Sequence, residues 1–163
     1  MKVTERWHSE RMGRDIPLVR WGHYGVPVLL FPTAGGDAEE VERHQLIDAL
    51  APMVEAGRIK VYSCDSAAGQ ALQRNEGSPE HRMWLFNQYH QAVAEEVVPA
   101  IHADSSPQAV VLAGASIGVA ATAPLGADVL ERLADPPVPG LAPGARPICP
   151  MRRSPGTTGL WTW

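Results

Sequence analysis

The chain has 163 residues, a net charge of −4 at pH 7 and two cysteines. This length allows one domain with a hydrophobic core, while the interspersed charges provide neither a basic stripe for nucleic acid nor a polybasic membrane anchor. Cys64 and Cys149 form no disulfide framework or metal pattern, and the N-terminus lacks an apolar signal segment. We therefore expect a cytoplasmic protein with no cofactor, no metal, and no nucleic-acid or membrane partner.

Four strands are predicted in the first 64 residues. Residues 2–9 and 15–21 mix β-favouring and polar side chains around a turn at residues 11–14, which predicts a β-hairpin at a sheet edge. Residues 26–32 are almost continuously apolar, as in a strand covered on both faces, so we expect a central strand there. A further strand is predicted at residues 58–64.

Helices are predicted to alternate with these strands. Asp37 and Gly57 bracket one predicted helix, whose apolar residues are Val41, Leu46, Ile47, Leu50 and Met53. Residues 65–79 are predicted as a polar loop. A long helix is predicted from Pro79 to about Ala103, with an apolar face formed by Met83, Phe86, His90, Val93, Val97 and Ile101. Met83 and Trp84 are interpreted as core residues, with a pocket wall as the alternative for Trp84, and His90 as a core histidine.

An apolar run from Ala109 leads directly into Gly-Ala-Ser-Ile-Gly at residues 114–118. Gly-x-Ser-x-Gly after a strand is typical of a nucleophile elbow, in which Gly114 and Gly118 leave room for neighbouring elements at a sharp turn. The pattern predicts Ser116 as a catalytic nucleophile at a helix N-terminus, where backbone N–H groups can receive an oxyanion. The alternative is a glycine-rich strand-to-helix turn with an inert serine.

Four segments carry a family resemblance: residues 30–37 (LFPTAGGD), 61–66 (VYSCDS), 81–84 (HRMW) and 113–118 (AGASIG). They resemble the esterase D-like family of the α/β-hydrolase superfamily, which includes S-formylglutathione hydrolases and mycolyltransferases. The resemblance covers roughly residues 3–119. It implies an α/β fold, namely the N-terminal part of an α/β-hydrolase fold, with a mostly parallel sheet and an N-terminal antiparallel edge hairpin.

The resemblance also implies a reaction and its participants. Ser116 would attack the carbonyl of a small acyl ester or thioester substrate. The backbone N–H groups of Ile117 and Ala34 would form the oxyanion hole that stabilises the tetrahedral intermediate. The chain is thus identified by family as a serine esterase, that is, a carboxylic-ester or thioester hydrolase.

The histidines are misplaced for such an enzyme, since all six precede Ser116: His8, His23, His44, His81, His90 and His102. The family's triad runs Ser, acid, His along the chain, so the general base should come later. We therefore expect this chain to be inactive or severely impaired. Two alternatives stay open: a non-catalytic α/β module that binds an acyl ligand or a partner chain, and an enzyme that uses His81 or His90 as its base.

The composition changes after Ala123, since eight of the fifteen prolines fall in the last forty residues. We divide the chain into a partial α/β-hydrolase domain at 1–123 and a Pro/Gly-rich irregular tail at 124–163. Asp128, Glu131 and Asp135 lie in the tail, but no histidine follows for them to orient. These features predict a truncated or frame-shifted esterase whose uncovered sheet edge leaves self-association open.

Overall fold

The computed structural model describes residues 1–105 and 109–116, and the backbone of residues 152–153 and 161–162. Five strands form one sheet: β1 (Lys2–Ser9), β2 (Arg14–Trp21), β3 (Val26–Phe31), β4 (Ile59–Cys64) and β5 (Val111–Gly114). Their spatial order is β1-β2-β4-β3-β5. Two further short strands, β6 (Arg152–Arg153) and β7 (Trp161–Thr162), pair antiparallel with each other. The rest of the predicted tail lies outside the described residues.

The sheet is parallel at its centre and antiparallel at one edge. β3 pairs in parallel with both β4 and β5, so it is the central strand that its apolar sequence predicts. β1 and β2 form the predicted hairpin at the edge, and β2 joins the sheet by antiparallel pairing with β4. The prediction of a mostly parallel sheet with an antiparallel edge hairpin is thus confirmed.

The helices are α1 (Glu40–Arg43), α2 (Leu46–Glu55), α3 (Ala67–Gln73), α4 (Pro79–Ala92) and α5 (Val98–Asp104), with a π-helical segment, Val93–Val97, between the last two. The long helix predicted from Pro79 is therefore present as one run that ends at Asp104. Among the helices that the structure describes, none has the length and apolar character needed to cross a membrane.

Alternate strand residues pack on opposite faces of the sheet. On β3, Leu29 and Phe31 contact one core cluster, whereas Leu30 contacts the other. The first cluster includes residues of α4, the π-helical segment and α5: Tyr89, Val93, Val97 and Ile101. The second includes Val41 of α1 and Val54 of α2. Both faces of the sheet are covered by helices, as a parallel sheet requires.

The single helix predicted between Asp37 and Gly57 is wrong, because the structure has two helices there. α1 ends at Arg43 and α2 begins at Leu46, with Gln45 in the left-handed conformation between them (φ 60°). The five-residue step from Val41 to Leu46 explains the break, since five residues rotate a straight helix well past its apolar face. The break lets Val41 and Ile47 both pack against the same cluster.

Two other local predictions are also wrong. The predicted loop at 65–79 contains α3, whose alanines favour a helix but are too small to create a recognisable apolar period. Met83 and Trp84, predicted in the core, are 55% and 52% exposed. Apart from Ala92, the buried residues of the long helix recur in steps of four from Tyr89 to Ile101. This row continues back through Leu85 rather than Met83 or Trp84.

Candidate active site at the carboxyl end of the parallel strands

Three loops leave the sheet at the same edge. In the strand register, Leu30 of β3 lies opposite Ser63 of β4 and Ala113 of β5. The chain that follows each parallel strand therefore emerges on the same side, which is where α/β proteins place their ligand sites. The loops concerned are residues 32–39 after β3, residues 65–66 after β4 and residues 115–116 after β5.

Ser116 has the backbone geometry of a sharp turn. It lies two residues beyond Gly114, the end of β5, is exposed, and has φ 58°. In the described part of the chain, only Gln45 and Asn75 share a positive φ among non-glycine residues. A left-handed conformation costs a non-glycine residue about 1–2 kcal/mol, and such strain is concentrated at functional turns. Ile117 and Gly118 lie outside the described residues.

Ala34 lies in a tight turn after β3. The N–H of Gly36 donates to the carbonyl oxygen of Thr33 at 3.0 Å and so closes a four-residue turn. In a trans peptide the N–H and C=O point in opposite directions. Because the Thr33 carbonyl points towards Gly36, the Ala34 N–H of the same peptide points out of the turn. It donates no hydrogen bond to any residue that the structure describes.

Both ends of this turn are anchored by side chains. At the start, the Glu40 carboxylate accepts from the Thr33 N–H at 2.6 Å and from the Thr33 hydroxyl at 2.7 Å. At the end, the Gly36 carbonyl accepts from the Ser66 N–H at 3.1 Å and from Nε2 of Gln70 at 3.0 Å. Sequence reasoning missed Glu40 and Gln70, since neither belongs to a recognisable motif.

Asp65 supports the same region from the end of β4. Its Oδ1 accepts from the Ala38 N–H at 2.9 Å, and its Oδ2 lies 3.6 Å from a guanidinium nitrogen of Arg14. Burial raises the pKa of Asp65, and the hydrogen bond from Ala38 and the charge of Arg14 oppose that rise only in part. Arg14 reaches this edge because β2 runs antiparallel to β4.

The two histidines considered as alternative bases are engaged elsewhere. His90 is half-buried, with its ring edge-on to Phe86 at a centroid distance of 4.4 Å, and burial lowers its pKa. Its Nε2 is buried and has no hydrogen-bond partner among the residues that the structure describes. His81 is exposed and stacks on Trp84 at 5.8 Å. No hydrogen bond between described residues joins either ring to Ser116.

The structure brings three of the predicted site residues to one edge of the sheet, whereas Ile117 and Gly118 lie outside the described residues. Ser116, Gly114 and Ala34 share the carboxyl edge of the parallel strands. No group of three or more His, Cys, Asp or Glu side chains suited to a metal ion occurs within residues 1–105 and 109–116.

Comparison with known proteins shows similarity of fold. No protein-family model and no curated protein matches the chain. The enterobactin esterase from Shigella flexneri, solved in the presence of 2,3-dihydroxy-N-benzoyl-serine, is 17% identical with a TM-score of 0.54; the match covers 81% of this chain and 34% of the esterase. A ferulic acid esterase structure is 16% identical with a TM-score of 0.55, with coverage of 83% and 56%.

These matches confirm the fold that the sequence resemblance implies. The chain has a partial α/β-hydrolase fold like that of these esterases, and it spans about a third of the length of one and just over half of the other.

Proposed function

We propose that the chain is a serine hydrolase module for small carboxylic esters or thioesters, with Ser116 as its nucleophile. The observation that carries this proposal is the left-handed backbone of Ser116 directly after a parallel strand of an α/β-hydrolase fold. The esterase activity of both structural neighbours supports the same reaction class. The proposed substrate has a small acyl group, and the chemistry calls for no cofactor.

The proposed roles follow from the chemistry of acyl transfer. Oγ of Ser116 forms a bond to the carbonyl carbon while its proton passes to water, and the C=O π bond breaks so that the carbonyl oxygen becomes an oxyanion. The N–H groups of Ala34 and Ile117 donate to that oxyanion. Collapse of the intermediate breaks the bond to the alcohol or thiol, which takes a proton from solvent, and leaves the acyl group on Ser116. Water then supplies its hydroxyl to the acyl carbon and its proton to Oγ, releasing the acid and restoring Ser116. Gly114 and Gly118 place no Cβ atom on either side of the nucleophile, where a side chain would meet the neighbouring strand or helix.

The 163-residue chain by itself is proposed to turn over slowly. No histidine occurs among residues 117–163, so nothing downstream takes the proton of the Ser116 hydroxyl. Loss of the base from comparable triads lowers turnover on the order of a million-fold. Among the described residues, no hydrogen bond joins His81 or His90 to Ser116. Binding and oxyanion stabilisation would remain, because these depend on the backbone.

Two measurements test the proposal. Phenylboronic acid should form a tetrahedral adduct, in which the serine oxygen bonds to boron and the serine proton passes to solvent; ¹¹B NMR detects this change. We expect the adduct in the wild type and in the control Thr4→Ala, whose hydroxyl is exposed on β1, but not in Ser116→Ala. A folded wild type that forms no adduct would show that Ser116 is not the nucleophile.

Hydrolysis of p-nitrophenyl acetate tests the missing base. The wild-type rate should be at most a small multiple of the rate of Ser116→Ala. A robust rate that is abolished by Ser116→Ala and also by His81→Gln or His90→Gln would identify an upstream base and contradict the slow turnover. Tight binding of an acyl ligand that Ser116→Ala leaves unchanged, without any boronate adduct, would instead support the non-catalytic module.

A further inference from the structure

We infer that Glu40 and Gln70 are positioning residues that hold the turn at residues 33–36, so that the Ala34 N–H is aimed at the oxyanion. This inference deepens the proposed function and rests on it. Neither side chain touches the reacting atoms; each acts through a backbone group at one end of the turn.

Glu40 fixes the start of the turn. Its two carboxylate oxygens accept from the two donors of Thr33, the backbone N–H at 2.6 Å and the hydroxyl at 2.7 Å. The side chain is only 13% exposed, so water competes little for these bonds. Glu40 also lies close against Gly36, where an added Cβ would be 2.1 Å from Oε2. A residue with a side chain at position 36 would displace the carboxylate from Thr33.

Gln70 fixes the end of the turn. The side chain lies on α3, is 9% exposed, and donates through Nε2 to the Gly36 carbonyl at 3.0 Å. The Ser66 N–H donates to the same carbonyl at 3.1 Å, so both lone pairs of that oxygen are used. Oε1 of Gln70 lies 3.5 Å from a guanidinium nitrogen of Arg14, which favours the amide orientation that directs Nε2 to Gly36.

The two anchors determine the direction of one N–H. The hydrogen bond from Gly36 to Thr33 connects the two anchored ends, and the planar Thr33–Ala34 peptide lies between them. With both ends held, that peptide has little freedom to rotate, and its N–H stays directed out of the turn. A donor that is already oriented stabilises developing charge without reorganising during the reaction. Two consecutive glycines at 35 and 36 would otherwise leave this loop free to change conformation.

The test compares isosteric variants of the full chain. Gln70→Glu keeps the shape but places a carboxylate oxygen against the Gly36 carbonyl, and Glu40→Leu removes both acceptors of Thr33. We expect each to weaken the phenylboronic acid adduct at Ser116 about tenfold and to speed hydrogen exchange at the Gly36 amide. Gln91→Glu, an exposed glutamine on α4, is the matched control and should bind as the wild type does.

A conservative variant of Glu40 distinguishes the effect of its hydrogen bonds from the effects of its size and charge. In Glu40→Gln, the amide oxygen can accept from the Thr33 N–H while the amide NH₂ donates to the Thr33 hydroxyl oxygen. This variant should therefore retain affinity within about twofold, although the negative charge is gone. If Gln70→Glu or Glu40→Leu fails to fold, Thr33→Val gives the milder test, because it removes only the hydroxyl bond to Glu40. It should weaken the adduct by a smaller factor.

The outcomes separate the two proposals. If the folded wild type forms no adduct, the proposed function fails, and this inference fails with it. If the wild type forms the adduct and the folded variants of Gln70, Glu40 and Thr33 bind as tightly, the positioning roles are wrong and the proposed function stands. Weakened adducts with unchanged thermal midpoints, together with rescue by Glu40→Gln, support the positioning roles.

Discussion

Gly69 of α3 lies against the backbone of Ala34. A Cβ on Gly69 would lie 2.6 Å from the Ala34 carbonyl oxygen and 2.8 Å from its Cα. These are backbone atoms, so no side-chain rotation can relieve the contact. Ala34 carries the proposed oxyanion donor, so α3 packs directly against the candidate site at Gly69.

Gly69→Ala is therefore expected to destabilise the protein. A glycine-to-alanine change inside a helix normally adds up to about 1 kcal/mol of stability. Here overpacking against Ala34 should outweigh that gain and give a net loss of about 1–3 kcal/mol in the free energy of unfolding, measured by urea denaturation. Gly35→Ala is the control, since its Cβ would meet only the movable end of Gln73. A stabilised Gly69→Ala would contradict the close approach.

Asp104 ties the end of α5 to the sheet, and its removal should be costly. Its carboxylate accepts from Nζ of Lys60 at 2.8 Å, from the Tyr62 hydroxyl at 2.7 Å and from Arg20. Lys60 is only 4% exposed, so Asp104→Asn would leave its charge buried without a carboxylate partner. We expect a loss of about 3 kcal/mol in urea denaturation. Asp48→Asn, on the exposed side of α2, should change stability by under about 0.5 kcal/mol.

The same cluster predicts a pH dependence at acidic pH. Burial alone would raise the pKa of Asp104, but hydrogen bonds from Lys60, Arg20 and Tyr62 outweigh it and lower that pKa to about 2. The unfolded carboxyl therefore binds a proton before the folded one does as the pH falls. The stabilisation by Asp104 should be complete above about pH 4 and be lost between about pH 4 and pH 2. The thermal midpoint of Asp104→Asn should vary less than that of the wild type between about pH 4 and pH 2. If the two proteins show the same dependence on pH, Asp104 is not its source.

His90 predicts a second, separate pH window. Burial lowers the pKa of His90 below its usual value of 6.5, so the folded state favours the neutral ring. As the pH falls below about 6.5, the unfolded chain binds the proton first and stability declines. His90→Leu keeps an apolar contact with Phe86, and its thermal midpoint should depend less on pH below about pH 6.5 than that of the wild type. Asn87→Leu, an exposed non-titrating position on α4, is the control and should keep the wild-type slope.

Local sequence patterns were sufficient to predict most strands and the sharp turn at Ser116. The apolar run of β3 predicted a strand covered on both faces, and the mixed polarity of β1 and β2 predicted an edge hairpin. The glycines around Ser116 predicted a sharp turn, and Ser116 has a left-handed backbone. These predictions depend on the spacing of neighbouring residues, which the sequence shows directly.

The tertiary structure decided the contacts that shape the candidate site. No local sequence pattern identifies Glu40, Gln70 or Gly69 as part of the site, because the groups that they contact lie on other elements. Whether these contacts form depends on the distances between those elements. The pairing of Asp104 with Lys60 likewise joins residues 44 positions apart. The sequence by itself therefore determined where the sharp turn at Ser116 lies and which strands are buried. Only the packing of α3 and the loops determined how the Ala34 N–H is held, since hydrogen bonds and close backbone contacts exist only between groups that the fold brings together.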